Sequence, residues 1–579
     1  MVKEYIKQEL RAVLAEIDGV PEAFDPEIMA PARAEHGDWA TNAAMRLARH
    51  LRTSPRAIAE DIIRRLIDRP LDADRVAACE IAGPGFINFR VAEGYLHRAL
   101  EKLLAAGNAY GRSSQRAGKC ALVEFVSANP TGPLTVGHGR NAVLGDTLAN
   151  LLEWTGYSVT REYYFNDAGR QMRVLGESVR ARYEEVLAET SPPEAAAHAQ
   201  WDKHAATYWT KVIGDDRIEV PASFPDGGYQ GAYIKDIART LVDTHGAALL
   251  AESSVDLFKE AAKEAIFADM EATLARLGIR MDTFFNERSL YDSGAITRTL
   301  DDLRAHGHVY ERDGAVWFKT SQLGKDTDTV LVKSTGEPTY RLPDIAYHRD
   351  KYRRQYDVMV NIFGADHIAT YPDISRALEV LGYDASKLEV LIYQFVTLMR
   401  GGEEVKMSTR RANYVTLDEL MDEVGADVTR FFFLMRSAQT HLEFDLDLAK
   451  EASDKNPVFY LQYAHARICS ILQKAEETGF SFARKANLRR LTHEAEGVLI
   501  KELLRFPEIL RQIAEAREAH RLGVYLRGVA ESFTRFYHWC RIIGEEEELA
   551  TARIALARAA RLVLRNGLAI LGISAPERM

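Results

Sequence analysis

Three stretches of this chain carry residues whose types and spacing could act on a phosphate or a charged small molecule. In "VEFVSANPTGPLTVGHGRNAVLGD", residues 123–146, an apolar run breaks into a Pro/Gly loop and then enters a helix at Val136-Gly137-His138-Gly139. Close approach of backbone to a phosphate needs such a loop followed by a helix start. His138 can donate an imidazole N–H there, and Gly137 leaves room for a ligand to lie against the backbone. In "VKMSTRRANYVTL", residues 405–417, Lys406, Arg410 and Arg411 supply flexible cations that can close on an anion. In "GEPTYRLPDIAYHRDKY", residues 336–352, Tyr340 and Asp344 stand four apart, which puts them on one face of a helix. Glu287, in "FFNERSLY", is a second carboxylate. Taken singly, each has an ordinary explanation: an exposed His at a helix N-terminus, a solvated basic loop, and an Asp capping a helix after Pro343.

These side chains need a scaffold, and the periodicity supplies one. From Cys120 the pattern runs strand, loop, helix, strand, through "CALVEFV", "RNAVLGDTLANLLEWTG" and "YSVTREYYF". That is a βαβ unit, and it predicts a parallel sheet. A largely helical stretch at about 170–280 reads as an insertion. Strand-like runs return at "AVWFKT", "TVLVKS", "YDVMVNIF" and "LEVLIYQFV", alternating with helices. Residues 1–110 read as a separate α/β module, with helices ahead of two strands, "RVAACEIA" and "FINFRV", split by Gly83-Pro84-Gly85. From about Phe431 to Met579 the periodicity is almost wholly helical, which predicts a bundle. The expected fold is therefore multidomain, α/β plus all-α: a module at 1–110, a Rossmann-like parallel-sheet domain at 111–430 and a helical bundle at 431–579.

Bulk composition excludes more than it assigns. A chain of 579 residues exceeds one core. No stretch approaches the run of apolar residues a membrane span requires. "MVKEYIKQEL" is amphipathic and lacks the apolar centre of a secretory signal, so a cytoplasmic location is expected. Cys79, Cys120, Cys469 and Cys540 are far apart, which argues against structural zinc and fits free thiols in a reducing compartment. The net charge of −10 excludes only a generally basic surface, because a local basic face can still bind nucleic acid. The phosphate-loop pattern GxxxxGK[ST], HExxH and a complete GxGxxG are all absent.

Taken together, residues 123–146, "REYYFNDAGRQM" at 161–172, residues 336–352, residues 405–417, "NPVFYLQYAHARI" at 456–468 and the ending "ISAPERM" resemble arginyl-tRNA synthetases of bacterial type. The likeness runs from "HGDWATNAA" at 36–44 to the last Met. It implies that Val136-Gly137-His138 match the family's "HIGH" signature, with Thr135 where the first His usually stands, and that Gly137, His138 and Gly139 lie at the ATP site. It also implies that Lys406, Met407 and Ser408 match "KMSKS", with Thr409 in place of the second lysine and Arg410 or Arg411 as the substitute cation. Some arginyl enzymes compensate with a lysine in the loop before "HIGH"; here that position is Gly132. The resemblance assigns the arginine side chain to Tyr340 and Asp344, with Glu287 the candidate second carboxylate. A planar guanidinium with five donors is best read by fixed carboxylates. Glu124 and Asn129 are assigned to the α-amino end, and Asp366, beside His367, to a substrate- or ATP-contacting position.

For tRNA, the resemblance implies that Phe86 and Asn88 read the D-loop, a ring stacking on a splayed base beside an amide. Tyr460, Tyr463, His465 and Arg467, with Tyr537, His538 and Trp539, would meet the anticodon loop. Half of these must be bundle core. The implied activity is ATP-dependent ligation of L-arginine to tRNA(Arg) through arginyl-adenylate, with tRNA bound before the adenylate forms. Mg²⁺ is expected with ATP, no protein-ligated metal is expected, and the chain is expected to be a monomer. A cysteinyl relative would need zinc ligands this chain lacks. A catalytically inactive tRNA-binding paralogue is the alternative, supported only by Thr135 and Thr409.

Overall fold

The computed structural model describes residues 2–31, 36–69, 71–190, 208–213, 216–221, 223–405, 415–480 and 486–579. In "FINFRV", Ile87, Phe89 and Val91 are buried and alternate with Phe86, Asn88 and Arg90 on the other face. That period of two makes Phe86–Val91 the centre of a three-stranded antiparallel sheet, between Trp39–Thr41 and Val76–Ala82. Helices Val2–Ala15, Ala43–Leu51 and Pro55–Asp68 cover its apolar face through Ile6, Leu10, Leu47, Ile58 and Ile62.

The second layer is the expected parallel sheet. Its strands are β1 (Cys120–Glu124), β2 (Ser158–Phe165), β3 (Thr283–Asn286), β4 (Val358–Gly364) and β5 (Leu388–Tyr393), in the order β5-β4-β1-β2-β3. Every neighbouring pair is parallel. The chain lays β1 to β3 toward one edge and then returns to add β4 and β5 beyond β1. The topological switch therefore falls between β1 and β4, where a crevice opens at the carboxyl ends of the strands.

Helix α1 (Val136–Trp154) follows β1 and is buried on almost all sides, including Arg140, Asn141, Asp146 and Thr147. Buried polar groups on such a helix must be paired. Asp146 accepts from Arg430 Nη2 at 2.6 Å, and the same guanidinium donates to the carbonyls of Leu571 at 2.8 Å and Leu277 at 2.7 Å. Gly572 allows this closure: its φ is 68°, and a Cβ there would come 2.2 Å from Arg430. The last layer contains α3 (Pro457–Glu477), α4 (His520–Trp539) and α5 (Glu547–Leu571), numbered after α2 (Arg341–Arg353) of the sheet domain. An ion pair of 2.6 Å between Lys501 and Asp38 ties this bundle to the first module.

Two expectations need correction, and two gain detail. "AVWFKT" and "TVLVKS" are not in the parallel sheet. Ala315–Phe318 and Thr329–Val332 join Val309–Arg312 in a separate antiparallel sheet with its own core of Phe318, Leu331, Leu342 and Ile345. The link between these runs is too short for a parallel crossover with a helix. "LEVLIYQFV" is two strands: β5 ends at Tyr393, and Val396–Arg400 starts another sheet. That second sheet includes Leu442–Asp445, so the chain beyond Phe431 is not purely helical. Leu442 and Phe444 are buried and alternate with exposed Glu443 and Asp445, a strand signal too short to outweigh the helices around it. The insertion between β2 and β3 also contains a two-stranded hairpin, Tyr208–Ile213 with Asp216–Pro221.

Candidate active site

The crevice is built first by the turn that leaves β1. Val126 and Ser127 adopt φ of 66° and 46°. A positive φ is costly for a β-branched residue and persists only when its surroundings enforce it. Asn141 on α1 does so: its Oδ1 accepts the Val126 N–H at 2.7 Å, and its Nδ2 donates to the Ile362 carbonyl on β4 at 2.9 Å. One side chain thus fixes the turn across the switch point.

Thr135 is the N-cap of α1, in extended conformation. Its backbone N–H donates to His138 Nδ1 at 3.2 Å, which leaves the imidazole proton on Nε2. Burial lowers the His138 pKa and keeps the ring neutral. His138 is therefore an N–H donor at a helix N-terminus, the arrangement that suits a phosphate oxygen. Thr135, standing where a histidine was expected, has a structural role in holding that ring. Gly137 is open to its surroundings: a Cβ there would meet only Thr135 Oγ1, at 3.7 Å. Gly139 faces inward instead: a Cβ there would meet Leu417 at 2.6 Å and Phe433 at 2.9 Å. Its smallness serves packing, which corrects the assignment of Gly139 to the ATP surface.

Lys406, Met407, Ser408, Thr409, Arg410 and Arg411 lie outside the described residues. The residues on either side are fixed. Val405 N–H donates to the Leu398 carbonyl at 2.9 Å, and Leu417 N–H to the Leu134 carbonyl at 2.8 Å. Thr416 pairs with Thr135 in an isolated bridge, so the chain rejoins beside the cap of the His138 helix.

The carboxylates converge as expected, but in different company. Glu124 ends β1, Glu287 follows β3, and Asp344 lies in the first turn of α2. Asp344 is pushed up to about 8 by burial, then by Glu124 and Glu287, against the opposing pull of Lys351 and Arg341. Burial, with the nearby Asp167 adding to it, also raises Glu287. Such shifts mark negative charge without enough counter-charge. Glu287 accepts from the Tyr164 hydroxyl and from Asn166 Nδ2, the latter at 2.7 Å. Asn129 is exposed at the rim; its Oδ1 accepts the Asn166 N–H at 3.1 Å, and its Nδ2 donates to Gln171 at 3.2 Å.

Tyr340 departs from expectation. The Asp344 N–H bonds the Tyr340 carbonyl at 3.3 Å, so the spacing is helical. The ring, however, is 88% exposed at the N-cap rather than packed against Asp344. The aromatic residues walling the carboxylates are Tyr164 and Tyr347, with ring centroids 4.4 Å apart. Glu124 also differs: it is buried, and its oxygens accept from Lys351 Nζ at 2.5 Å and Ser127 Oγ at 3.0 Å. Asp366 follows β4 beside His367, its Oδ2 3.7 Å from the ring Nε2, and both are exposed. Phe363 stacks on the His367 ring at 5.0 Å.

Sequence reasoning missed several residues of this site. Arg140 is fully buried and donates to the carbonyls of Gln394, Ser437 and Thr440 at 2.6, 3.0 and 2.9 Å. It ties the end of β5 to the loop before Leu442. The single Arg of a helix whose other residues are mostly apolar or small was the available signal. His348 and Lys351, four and seven residues after Asp344, share its helix face and are buried, while Asp344 itself is half-buried.

The surfaces expected to meet RNA lie elsewhere. Phe86 and Asn88 share the outward, half-buried face of their strand. On the bundle, Tyr463, Tyr537 and Trp539 are 42%, 37% and 65% exposed. Arg467 lies 4.8 Å over the Tyr537 ring, and His538 stands edge-on to Trp539 at 4.9 Å. Tyr460 is half-buried against the core. His465 is buried, its Nδ1 2.8 Å from the Pro576 carbonyl, so it holds the C-terminal segment rather than facing a ligand.

The geometry has counterparts in known proteins. Residues 2–91 match the family model "Arginyl tRNA synthetase N terminal domain", residues 99–432 match "tRNA synthetases class I (R), catalytic domain", and residues 461–579 match "DALR anticodon binding domain". The chain is similar to an arginine–tRNA ligase of Salinibacter ruber, 58% identical over 579 residues and covering 100% of both chains. It is similar to that of Desulfotalea psychrophila at 48% identity, covering 95% of this chain and 94% of the other. Its fold matches the arginyl-tRNA synthetase structure of Thermus thermophilus with a TM-score of 0.74, at 22% identity and 100% coverage of both. With the switch-point crevice, the imidazole at its helix start and the under-neutralised carboxylates already described, these matches establish that the chain belongs to the arginyl-tRNA synthetase family.

Proposed function

We propose that this chain ligates L-arginine to tRNA(Arg) with ATP, and that the carboxylates of Asp344 and Glu287 take the guanidinium. The observation that carries the reading is the raised pKa of Asp344 in a cluster with Glu124 and Glu287. A guanidinium provides the counter-charge that Asp344 and Glu287 lack, and the Tyr164 hydroxyl and Asn166 amide hold Glu287 in place to receive it. Lysine offers charge without the planar fork, so it is the poorer ligand. Tyr340, exposed beside this pocket, would close over the bound side chain, and Asn129 at the rim would meet the α-amino end.

With the substrate so placed, an arginine carboxylate oxygen attacks the α-phosphorus of ATP. A P–O bond forms to give arginyl-adenylate, and the bond to the pyrophosphate oxygen breaks. His138 Nε2–H donates to phosphate oxygens as charge builds, while Lys406 and Arg410 neutralise the leaving pyrophosphate. A hydroxyl of the terminal ribose then attacks the activated carbonyl and AMP departs. Mg²⁺ would arrive on the triphosphate. Among the described residues no three His, Cys, Asp or Glu side chains are placed to hold a metal. Phe86 and Asn88 would meet the D-loop, and Tyr463, Arg467, Tyr537 and Trp539 the anticodon loop by base stacking. The working boundaries are 1–110, 111–430 and 431–579, in a cytoplasmic monomer. Among the described residues no helix is long and apolar enough to cross a membrane.

The test is charging of total tRNA with labelled arginine by the full chain and by Arg410→Ala. Robust charging that falls about 10²-fold in the variant, the usual effect of losing one group that stabilises transition-state charge, supports both the activity and the substitute cation. Charging unaffected by Arg410→Ala moves the cation to Arg411. Tight tRNA binding without any charging by the intact chain supports the inactive paralogue instead.

A further inference from the structure

Beneath the carboxylate pocket runs a chain of buried polar groups whose donors and acceptors can all be assigned. The Tyr164 N–H donates to Ser127 Oγ at 3.2 Å, and that hydroxyl donates to Glu124 Oε1 at 3.0 Å. Lys351 Nζ donates to Glu124 Oε2 at 2.5 Å and to Asn361 Oδ1 at 2.7 Å. The Asn361 amide then donates to His348 Nε2 at 2.6 Å, and His348 Nδ1–H returns to the Asp344 carbonyl at 2.7 Å. The assignment requires a neutral His348, and burial, then Lys351, lowers that ring to about 3. Lys351 is the hub: its side chain is 0% exposed, that of Glu124 3%, and the ammonium lies 4.3 Å over the Tyr347 ring.

The chain connects three elements of the site. Glu124 and Asn361 are at the two switch-point strands, Lys351 and His348 are on the helix that presents Asp344, and Ser127 is in the strained turn before the His138 loop. A fully buried lysine has to be paired, and here its ionic partner is Glu124, at the end of β1. The charged groups facing Asp344 are Glu124 from β1, Glu287 from beyond β3, and Lys351 and Arg341 from its own helix. Those facing Lys351 include Glu124 and, across Tyr347, Glu162, which is itself held by Arg354 at 2.9 Å.

We propose that Lys351 is a positioning residue for arginine selection: its buried ammonium neutralises Glu124, so the pocket offers Asp344 and Glu287, and not a third free carboxylate, to the substrate. The proposal rests on the arginine-binding reading of this pocket. Without Lys351, the freed charge of Glu124 holds the proton on Asp344 more tightly, and the pocket loses the carboxylate that the guanidinium needs. Arginine binding then weakens and its pH dependence moves to higher pH. The Lys351 side chain has no exposed surface from which to meet a ligand, so the effect passes through Glu124.

The experiment is calorimetric titration of arginine into the full chain from pH 6.5 to 8.5, with ATP titrated as the control, for wild type, Lys351→Met, Lys351→Arg and Lys351→Met/Glu124→Gln. Lys351→Met is expected to bind arginine about tenfold more weakly at pH 7, one unit of displaced ionisation, with the rise in affinity displaced alkaline by the same amount. ATP affinity is expected to stay within about twofold, the scatter of a change outside its contacts. Lys351→Arg retains the wild-type profile. The double variant, which removes both buried charges together, returns the profile toward wild type. An unmoved profile in Lys351→Met overturns the proposal. So does a double variant that fails to recover, whether it folds or not, because the lysine then serves packing alone. Failure of the wild-type chain to bind arginine at all is a different result, and it rejects the function rather than this role.

Discussion

An Asp344→Asn variant is expected to lose about 10³-fold in kcat/KM for arginine, the effect of the roughly 3–5 kcal/mol that follows from breaking a buried charge pair. The loss is specific to arginine because the pocket holds more negative charge than it can neutralise: burial, Glu124 and Glu287 together press Asp344 up to about 8. The same frustration predicts the effect on the fold. Asn is isosteric and uncharged, so removing the carboxylate relieves repulsion, and the variant should be as stable as the parent or slightly more so. Steady-state kinetics with arginine and with ATP varied in turn, together with a denaturant midpoint, separate these effects. A variant that unfolds early, or that loses ATP and arginine dependence equally, would mean that Asp344 holds α2 in place and does not select the substrate.

The second large effect belongs to His138. The two nitrogens of its ring do different jobs: Nδ1 receives the Thr135 N–H, and Nε2 is left to donate outward. Amide variants can separate them. In His138→Asn the side-chain oxygen can still accept from Thr135, but nothing reaches the position of Nε2. In His138→Gln the amide nitrogen can reach it. Removing one preorganised donor from an oxyanion or phosphate site costs about 10²–10³ in rate. His138→Asn should therefore lose about 10²–10³ in kcat for arginine-dependent ATP–pyrophosphate exchange, with KM for ATP little changed, and His138→Gln should lose distinctly less. A larger loss in His138→Gln than in His138→Asn would place the function of His138 in capping the helix, and no loss in either would remove it from the chemistry.

How far these groups could be read in the sequence follows from the range of the interactions that place them. The βαβ start, the loop before His138 and the helix after Pro343 are local patterns, and they form as their periodicities indicate. The site's carboxylates come from three separated stretches, and no spacing relates Glu124 to Glu287. The family resemblance placed Glu124 and Asp344 at the substrate, and the raised pKa of Asp344, pushed by burial and then by Glu124 and Glu287, gives the physical reason the three belong together. Tyr340 shows the limit of spacing: its backbone is helical, yet its ring stays in solvent while Tyr347 and Tyr164 line the pocket. Lys351 and His348 were within reach of a helical-face argument from Asp344, but charged and titratable side chains are usually assigned to solvent. Arg140 and Arg430 were less accessible, because each binds carbonyls contributed from stretches far apart in the chain. The four-residue strands at 315–318, 329–332 and 442–445 were misplaced because partner choice in a sheet is a tertiary property that a short run cannot encode.

The measurement that bears most directly on the pocket is the number of protons released when arginine binds. Asp344 has a pKa raised from the usual carboxylate range to about 8, so at pH 7 the free protein holds a proton there. A guanidinium favours the ionised form and drives that proton off. In the free protein the same shift means that the native state binds more protons than the unfolded chain between about pH 4 and 8, so its contribution to stability falls as pH rises through that window. Calorimetry of arginine binding in two buffers with different ionisation enthalpies, at pH 7 and again at pH 9, counts the protons. The account predicts release of close to one proton at pH 7 and markedly less from this group at pH 9. Release of none at pH 7, with arginine bound, would contradict it: Asp344 would already be ionised, and the pocket would not be waiting for a cation.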